Sequence, residues 1–427
     1  MNHSTFQRSE IQQIRLHVLP TDRFKTYAIS AFIGAPLREE QVTSTALIPF
    51  VLRRGTQSYP ETRQFRQRLD ELYGAGFGFD IYKRGNYQMI QFRLDIIEER
   101  YISGSDSLLK QGLDFLGEVI TLPAEENGKF LSKYVDSEKQ TLEKRIKSII
   151  NDKIRYAAER CLEEMFKGDP YRLHPLGRLE DLPELEPDQL YQAYQQWLAE
   201  SPIDLYVIGN TTLEEVEAMV SKSFQIRRAQ NPAYDIAPAE PREQREINEV
   251  VERLEVSQGK LNMGLKGSVT YAEDGYADAL MYNGILGAYP HSKLFINVRE
   301  KASLAYYASS RLDGHKGILT IQSGIEIENF EKAVDIIRKQ LNAMSQGEIS
   351  ELEMSQTKAM IVNQLKEIKD AAFEIIAFDF NNILSGRERT VNELITDING
   401  STLESVREAA SRMQLDTIYF LRDKEGK

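Results

Sequence analysis

The chain has 427 residues, of which 41% are hydrophobic and 28% charged, and its net charge at pH 7 is −12. This length exceeds one ordinary hydrophobic core and predicts two or more domains. The acidic balance argues against a nucleic-acid partner, because phosphate binding needs clustered Lys and Arg.

In chain order, the N-terminus lacks the basic start and apolar run that are typical of a signal peptide. No later window holds the roughly 18 uninterrupted apolar residues of a membrane helix. We therefore expect no membrane span and a cytoplasmic protein. The only cysteine, Cys161, excludes an intrachain disulfide and a multi-thiolate metal site. Its place in a helical pattern predicts a buried thiol.

The first half alternates between strand and helix patterns. A strand, TYAISAFIGAP, precedes an apolar helix containing LIPFVLRRGT, then the helix QFRQRLDELYG and the strand NYQMIQFRLDII. The glycine-rich stretch Gly74–Gly78 follows a helix and leads into a strand, which predicts a turn rather than a phosphate-binding loop. Long helices and the strand IDLYVIGN close this half, and Asn210–Thr212 predicts an N-cap for the helix that follows.

The second half repeats this order of elements about 230 residues later. A strand, KLNMGLKGSV, precedes a helix through DGYADALMYNGILGAY, the stretch LFINVREKASLAYYASS and the strand ILTIQSGIE; helices and LDTIYFLRD end it. We predict an α+β protein of two homologous, α/β-sandwich-like halves related by internal duplication, each a mixed, largely antiparallel sheet covered by helices. A proline-containing linker over 226–247 would join an N-terminal domain, 1–225, to a C-terminal domain, 248–427.

These elements resemble the insulinase/pitrilysin family of zinc metallopeptidases, in the two-half form of the mitochondrial processing peptidase subunits. The resemblance spans nearly the whole chain and includes SAFIGAPLREE, RRGTQSYP and the long second-half stretch LMYNGILGAYPHSKLFINVREKASLAYYASS. It implies a first-half helix carrying His-x-x-Glu-His. Two histidines four residues apart share a helix face and can bind one Zn²⁺, and the glutamate can activate the metal-bound water.

The residues at the metal-box positions of this chain cannot perform that chemistry. Alignment on the trailing Gly-Thr puts Ala46 at the first histidine, Pro49 at the glutamate and Phe50 at the second histidine. The position of the distant third ligand is Arg145, whose cation opposes metal binding. We expect no cofactor on this chain and no peptidase activity by itself. No two of its histidines have helical i,i+4 spacing; they are His3, His17, His174, His291 and His315.

The second-half stretch keeps the residue types of the family at two positions, Arg299 and Tyr306. The resemblance implies that both bind substrate. An arginine suits a peptide carbonyl or carboxylate, and a tyrosine hydroxyl can bond the oxygen on which charge develops. The alternative is that Arg299 pairs with a neighbouring acid and that Tyr306 packs in the sheet.

Loss of the metal box beside a retained Arg/Tyr pair predicts the non-catalytic, substrate-binding subunit of a heterodimeric peptidase. The resemblance implies a homologous partner with an intact zinc motif, the zinc on that partner only, and a peptide substrate bound in extended form at a sheet edge. Two alternatives stay open. One is a scaffold protein, like the peptidase-derived core subunits of a respiratory complex; the other is a stand-alone peptide-binding protein or homodimer.

Overall fold

The computed structural model describes residues 5–102, 107–226, 228–236 and 246–424. The chain forms two compact units, each with one mixed sheet and covering helices, which confirms the predicted α+β class. Unit 1 comprises Met1–Lys147 and Leu173–Tyr234, and unit 2 comprises Ser148–Arg172 and Asp235–Lys427. No helix in these described ranges is both long and apolar enough to cross a membrane.

Some consecutive strands of unit 1 are joined directly, and others have helices between them. They are β1 (Gln7–Ile11), β2 (Ile14–Pro20), β3 (Thr26–Pro36), β4 (Gly76–Arg84), β5 (Tyr87–Ile97), β6 (Glu125–Glu126), β7 (Lys129–Phe130) and β8 (Ile203–Gly209). Six of them form one sheet in the order β1-β2-β8-β3-β5-β4, in which β2 and β8 are parallel and the other neighbours antiparallel. The edge strand β4 therefore lies next to β5.

The first half of the chain is rich in α-helices. They are α1 (Val42–Leu52), α2 (Thr62–Glu71), α3 (Leu108–Thr121), α4 (Ser132–Asn151), α5 (Lys153–Met165), α6 (Pro187–Glu200) and α7 (Leu213–Ser223). Every residue of α1 is buried, as its apolar sequence predicts, and Pro49 lies inside it. Thr212 is the N-cap of α7 and forms a capping box with Glu215, which confirms the predicted helix start.

Unit 2 repeats the strand order of unit 1. Its strands are β9 (Asn248–Arg253), β10 (Gly259–Lys266), β11 (Ala305–Asp313), β12 (Ile318–Ile325) and β13 (Gln414–Arg422). Their order is β11-β12-β10-β13-β9, with only the β9–β13 pair parallel. This matches β4-β5-β3-β8-β2 strand for strand, so β1 is an addition to unit 1. The edge strands β4 and β11 occupy equivalent positions.

Helices in unit 2 surround a core of aliphatic side chains from β10, β12 and the helices themselves. Two short π-helical segments, Gly284–Ala288 and Phe295–Lys301, precede β11. The α-helices are α8 (Tyr276–Asn283), α9 (Phe330–Gln346), α10 (Glu351–Glu367), α11 (Ala372–Ser385), α12 (Val391–Gly400) and α13 (Leu403–Ser411).

One segment of the first half, Ser148–Arg172, belongs to unit 2, whereas the predicted N-terminal domain of residues 1–225 included it. The reason is the apolar face of α5. Ala157 and Cys161 pack against Tyr419 and Leu421 of β13. Burial raises the pKa of the Cys161 thiol to about 12, as expected of a core cysteine. Residues 227 and 237–245 of the predicted linker lie outside the described residues.

Candidate functional site

The metal-box positions of α1 are filled by packing. Ala46, Pro49 and Phe50 are all buried, and the ring of Phe50 packs edge-on against Phe79 of β4 at a centroid distance of 5.0 Å. An aromatic pair in this geometry is stabilising beyond its buried area. The space next to α1 is therefore occupied by hydrocarbon where metal ligands would be needed.

Two guanidinium groups lie against the same aromatic ring. The Cζ atom of Arg145, on α4, is 5.7 Å from the ring centre of Phe50, and that of Arg53 is 5.3 Å from it. Cations at these distances are attracted to the ring, but they repel a metal dication. The residues present therefore do not fit zinc.

A buried carboxylate completes this region. Glu138, two turns before Arg145 on α4, is 0% exposed. It accepts hydrogen bonds from Arg54, and Nη2 of Arg53 lies 3.4 Å from its Oε2. A buried charge needs such partners, because an unpaired one is costly to desolvate. We call Phe50, Phe79, Arg53, Arg54, Arg145 and Glu138 the closed box.

Sequence reasoning missed the pairing of Glu138, although two signals were present. An Arg-Arg pair directly follows the fully buried helix α1. A glutamate precedes Arg145 by seven residues, which is about two helical turns and therefore the same helix face.

Within the residues that the structure describes, no group of three or more His, Cys, Asp and Glu side chains is arranged to hold a metal ion. The described histidines bond to other groups, and His3 lies outside the described residues. The partners are Asp204 for His17, the N–H of Leu176 for His174, Thr357 for His291 and Asn381 for His315. The absence of a metal on this chain stays a prediction.

Arg299 lies near the end of the π-helical segment Phe295–Lys301, and its side chain is exposed. Its Cζ is 4.5 Å from the ring centre of Phe295. No carboxylate of the described residues lies within ion-pair distance of it, so the alternative of a structural ion pair is not observed. Short π-helical segments often occur at functional sites.

Tyr306 lies at an irregularity of the edge strand β11. Ala305 pairs with Ile325 and Tyr307 pairs with Gly324, so Tyr306 is the extra residue of a bulge. Bulges redirect side chains at sheet edges, and Tyr306 is 59% exposed. It therefore does not pack in the sheet, contrary to the structural alternative.

The hydroxyl of Tyr306 donates a hydrogen bond to Oε1 of Glu326 at 2.8 Å. This bond raises the pKa of Tyr306 above its ordinary value, because the carboxylate favours the protonated phenol. The side chain is therefore held as a hydrogen-bond donor. Glu326 directly follows β12, and sequence reasoning assigned it no role. We call Arg299, Tyr306 and Glu326 the open element.

Comparisons with known proteins found relatives both by sequence and by structure. Residues 184–361 match the family described as Peptidase M16 inactive domain. The chain is 40% identical over 426 residues to the probable inactive metalloprotease YmfF of Bacillus subtilis (strain 168), covering 100% of both chains. A conserved protein from Enterococcus faecalis V583 is 31% identical and superposes with a TM-score of 0.93, over 99% of this chain and 100% of that one.

A second solved structure, a peptidase M16 inactive domain from Pseudomonas fluorescens, covers 98% of each chain with a TM-score of 0.79. Its sequence identity is 16%, so this likeness shows the fold alone.

Proposed function

Because the chain belongs to the M16 (insulinase/pitrilysin-type) peptidase family, as a full-length homologue of a probable inactive metalloprotease, we propose that it is the non-catalytic, substrate-binding subunit of a heterodimeric zinc peptidase. Its partner would be a homologous chain with an intact His-x-x-Glu-His motif. That partner would supply the zinc and the activated water.

The observation that carries the proposal is the contrast between the closed box and the open element. The first is filled by Phe50 and by cations that exclude a metal. The second presents an exposed arginine and an exposed tyrosine. An arginine and a tyrosine exposed at the surface, with no carboxylate of the described residues within ion-pair distance of the arginine, suggest a ligand that arrives from outside.

Each group has a role that its chemistry supports. Arg299 would hold a carbonyl or carboxylate of the peptide through its planar set of N–H donors. Tyr306 would turn its hydroxyl from Glu326 to the oxygen on which negative charge develops during attack by the partner's water. Since β11 is the edge strand of its sheet, an extended peptide could pair with its backbone.

The test is co-expression with the zinc-motif homologue of the same host, followed by measurement of complex formation and of peptide turnover. We expect a one-to-one complex with one zinc. Tyr306→Phe should lower kcat by about 100-fold, as removal of a charge-stabilising donor does, and Arg299→Ala should lower kcat/KM. Both variants should still form the complex.

Exposed residues of the same types provide matched controls. Tyr101 is 47% exposed, and the side chain of Arg412 is 48% exposed. Tyr101→Phe and Arg412→Ala should leave turnover unchanged. If both substitutions in the open element also left turnover unchanged, the proposed site would be wrong. A stable complex without peptide turnover would favour the scaffold alternative.

A further inference from the structure

The edge strand β4 of unit 1 borders a cavity of about 270 Å³ beside the closed box. Three of its lining residues are arginines, namely Arg53 and Arg54 after α1 and Arg66 on α2. Phe65 and Phe77 line it as well. The cavity thus combines cationic and aromatic walls, and nothing in the proposed role of the open element uses it.

The aromatic wall is part of a packed cluster. The rings of Phe65 and Phe77 meet at a centroid distance of 5.6 Å, and both contact Phe115 of α3. Phe65 is 3% exposed. Side chains fixed in this way form a rigid surface, which lowers the entropic cost of binding an apolar group there.

The cationic wall carries surplus positive charge. The single carboxylate of Glu138 contacts Arg53 and Arg54 and can neutralise only one of them. Arg66 is exposed and has no carboxylate of the described residues within ion-pair distance. Asp70, one turn further along α2, shares an adjoining surface with Arg66 but forms no ion pair with it. A surplus of this sign in an acidic protein favours an anionic ligand.

We propose that this cavity binds a carboxylate group of a peptide that lies along β4. Guanidinium groups bind carboxylates through paired, charge-assisted hydrogen bonds, and the methylene groups next to the carboxylate can pack on Phe77. The volume lies below the roughly 300–1,000 Å³ of small-molecule sites and suits a single side chain or chain end.

The strand itself offers access to such a peptide. β4 is an edge strand, and Gly76 and Gly78 are exposed on either side of Phe77 in sequence. A Cβ atom at Gly78 would meet nothing within 4 Å. An extended chain can therefore approach the backbone here without meeting side chains from these two positions. The inference takes only the class of the ligand, a peptide, from the proposed function.

The test is isothermal titration calorimetry of the full chain by itself with three peptides. The first is acetyl-KTVEVTK-amide, the second is acetyl-KTVQVTK-amide, and the third is acetyl-KTVQVTK with a free C-terminal carboxylate. We expect one of the two carboxylate-bearing designs to bind at least tenfold more tightly than acetyl-KTVQVTK-amide, which has no carboxylate. The preferred peptide identifies whether a side chain or a chain end supplies the group.

Arginine variants on α2 connect the preference to the cavity. Arg66→Gln should abolish the tenfold difference, whereas Arg63→Gln, also exposed on α2 but outside the cavity lining, should keep it. The preference should also shrink between low and high salt. Equal binding of all three peptides, no binding of any, or a preference that survives Arg66→Gln would overturn the proposal.

These measurements need no partner chain, so they separate this inference from the heterodimer. A failure of the heterodimer would appear as no complex with the zinc-motif homologue on co-expression, and a failure of the open element as unchanged turnover in the variants of Arg299 and Tyr306. A failure of the cavity proposal would appear in calorimetry while that turnover still responded.

Discussion

The closed box of unit 1 and the open element of unit 2 differ in the exposure of their polar groups. In the closed box, the carboxylate of Glu138 is fully buried and paired with arginines, and Phe50, at the predicted position of a metal ligand, packs against Phe79. In the open element, Arg299 and Tyr306 extend from the protein surface. The two regions therefore differ in what their polar groups contribute, stability in the first and available hydrogen-bond donors in the second.

This difference shows how α1 stays packed without metal ligands at its predicted metal-box positions. Aromatic packing and an internal ion pair take over the positions next to α1, so the helix stays buried on all sides. The residues at the predicted metal-box positions are consistent with one another, since both the absence of ligands and the presence of a cation weaken the binding of a metal dication. Substitutions of the buried charges of unit 1 should therefore change stability, and substitutions in the open element should change activity.

Among the substitutions considered, the largest loss in the free energy of unfolding is expected at a second buried ion pair of unit 1. Asp204 on β8 is fully buried, accepts two hydrogen bonds from Arg15 and lies 2.8 Å from Nε2 of His17. Removing one partner of such a pair costs about 3–5 kcal/mol. Asp204→Asn should lower the free energy of unfolding at pH 7 by about that amount.

The same group gives the stability of unit 1 a defined pH dependence. Burial by itself raises the pKa of Asp204, but the hydrogen bonds from Arg15 and His17 outweigh it and hold the pKa below its ordinary value. The folded state then binds fewer protons than the unfolded state, so this stabilisation is complete above about pH 4 and is lost as the pH falls further. Asp204→Asn should lack this contribution.

Fluorescence of the only tryptophan, Trp197, reports on unit 1, because it is buried in α6. Urea titrations followed by this signal between pH 3 and pH 7 measure both the loss of unfolding free energy in Asp204→Asn at pH 7 and the pH dependence of stability. Asp80→Asn is the control, since Asp80 pairs with Arg93 at the surface and such pairs contribute little. An equal pH dependence in wild type and Asp204→Asn would contradict the prediction.

A smaller loss is expected at the closed box. Glu138→Gln removes the buried charge but leaves Arg53 and Arg54, whose side chains are 41% and 25% exposed and can turn to solvent. We therefore expect a loss of about 2 kcal/mol in the free energy of unfolding, below the usual range for a broken buried pair. The same tryptophan signal measures it.

The matched control for this variant is Glu143→Gln, because Glu143 lies on the same helix and forms an exposed pair with Lys147. It should not change the urea midpoint measurably. If Glu138→Gln were as stable as the control, the closed box would not contribute to stability, and the contrast with the open element would fail.

Much of the fold follows from the sequence. The alternation of strand and helix patterns predicted two similar halves, and the strand orders agree with a duplication because each half carries the same series of hydrophobic segments. The sequence could not show that α5 joins unit 2. Its apolar stripe fits any buried sheet face, and only the contact with Tyr419 and Leu421 decides which one.

For the candidate site as well, some features could be predicted from the sequence and others could not. Ala46, Pro49, Phe50 and Arg145 were assigned to the metal-box positions from motif spacing, and this assignment stays a prediction. The pairing of Glu138 with arginines 84 and 85 residues earlier was not predicted, because the Arg-Arg pair and the helix face shared with Arg145 do not by themselves show which segments meet. The bulge at Tyr306 depends on strand register, which a single strand does not reveal.

The smallest change in stability is expected in the open element. This small change would distinguish the open element most clearly from the closed box. Tyr306→Phe removes one hydroxyl that donates to the exposed Glu326, and the ring is already exposed. The thermal midpoint, measured by calorimetry, should therefore stay within about 1 °C of wild type. Glu326→Gln should behave in the same way, since the tyrosine hydroxyl can still donate to an amide oxygen. A midpoint lowered by several degrees in Tyr306→Phe would mean that the residue stabilises the edge of the sheet, and any loss of turnover would then no longer indicate a role in binding substrate.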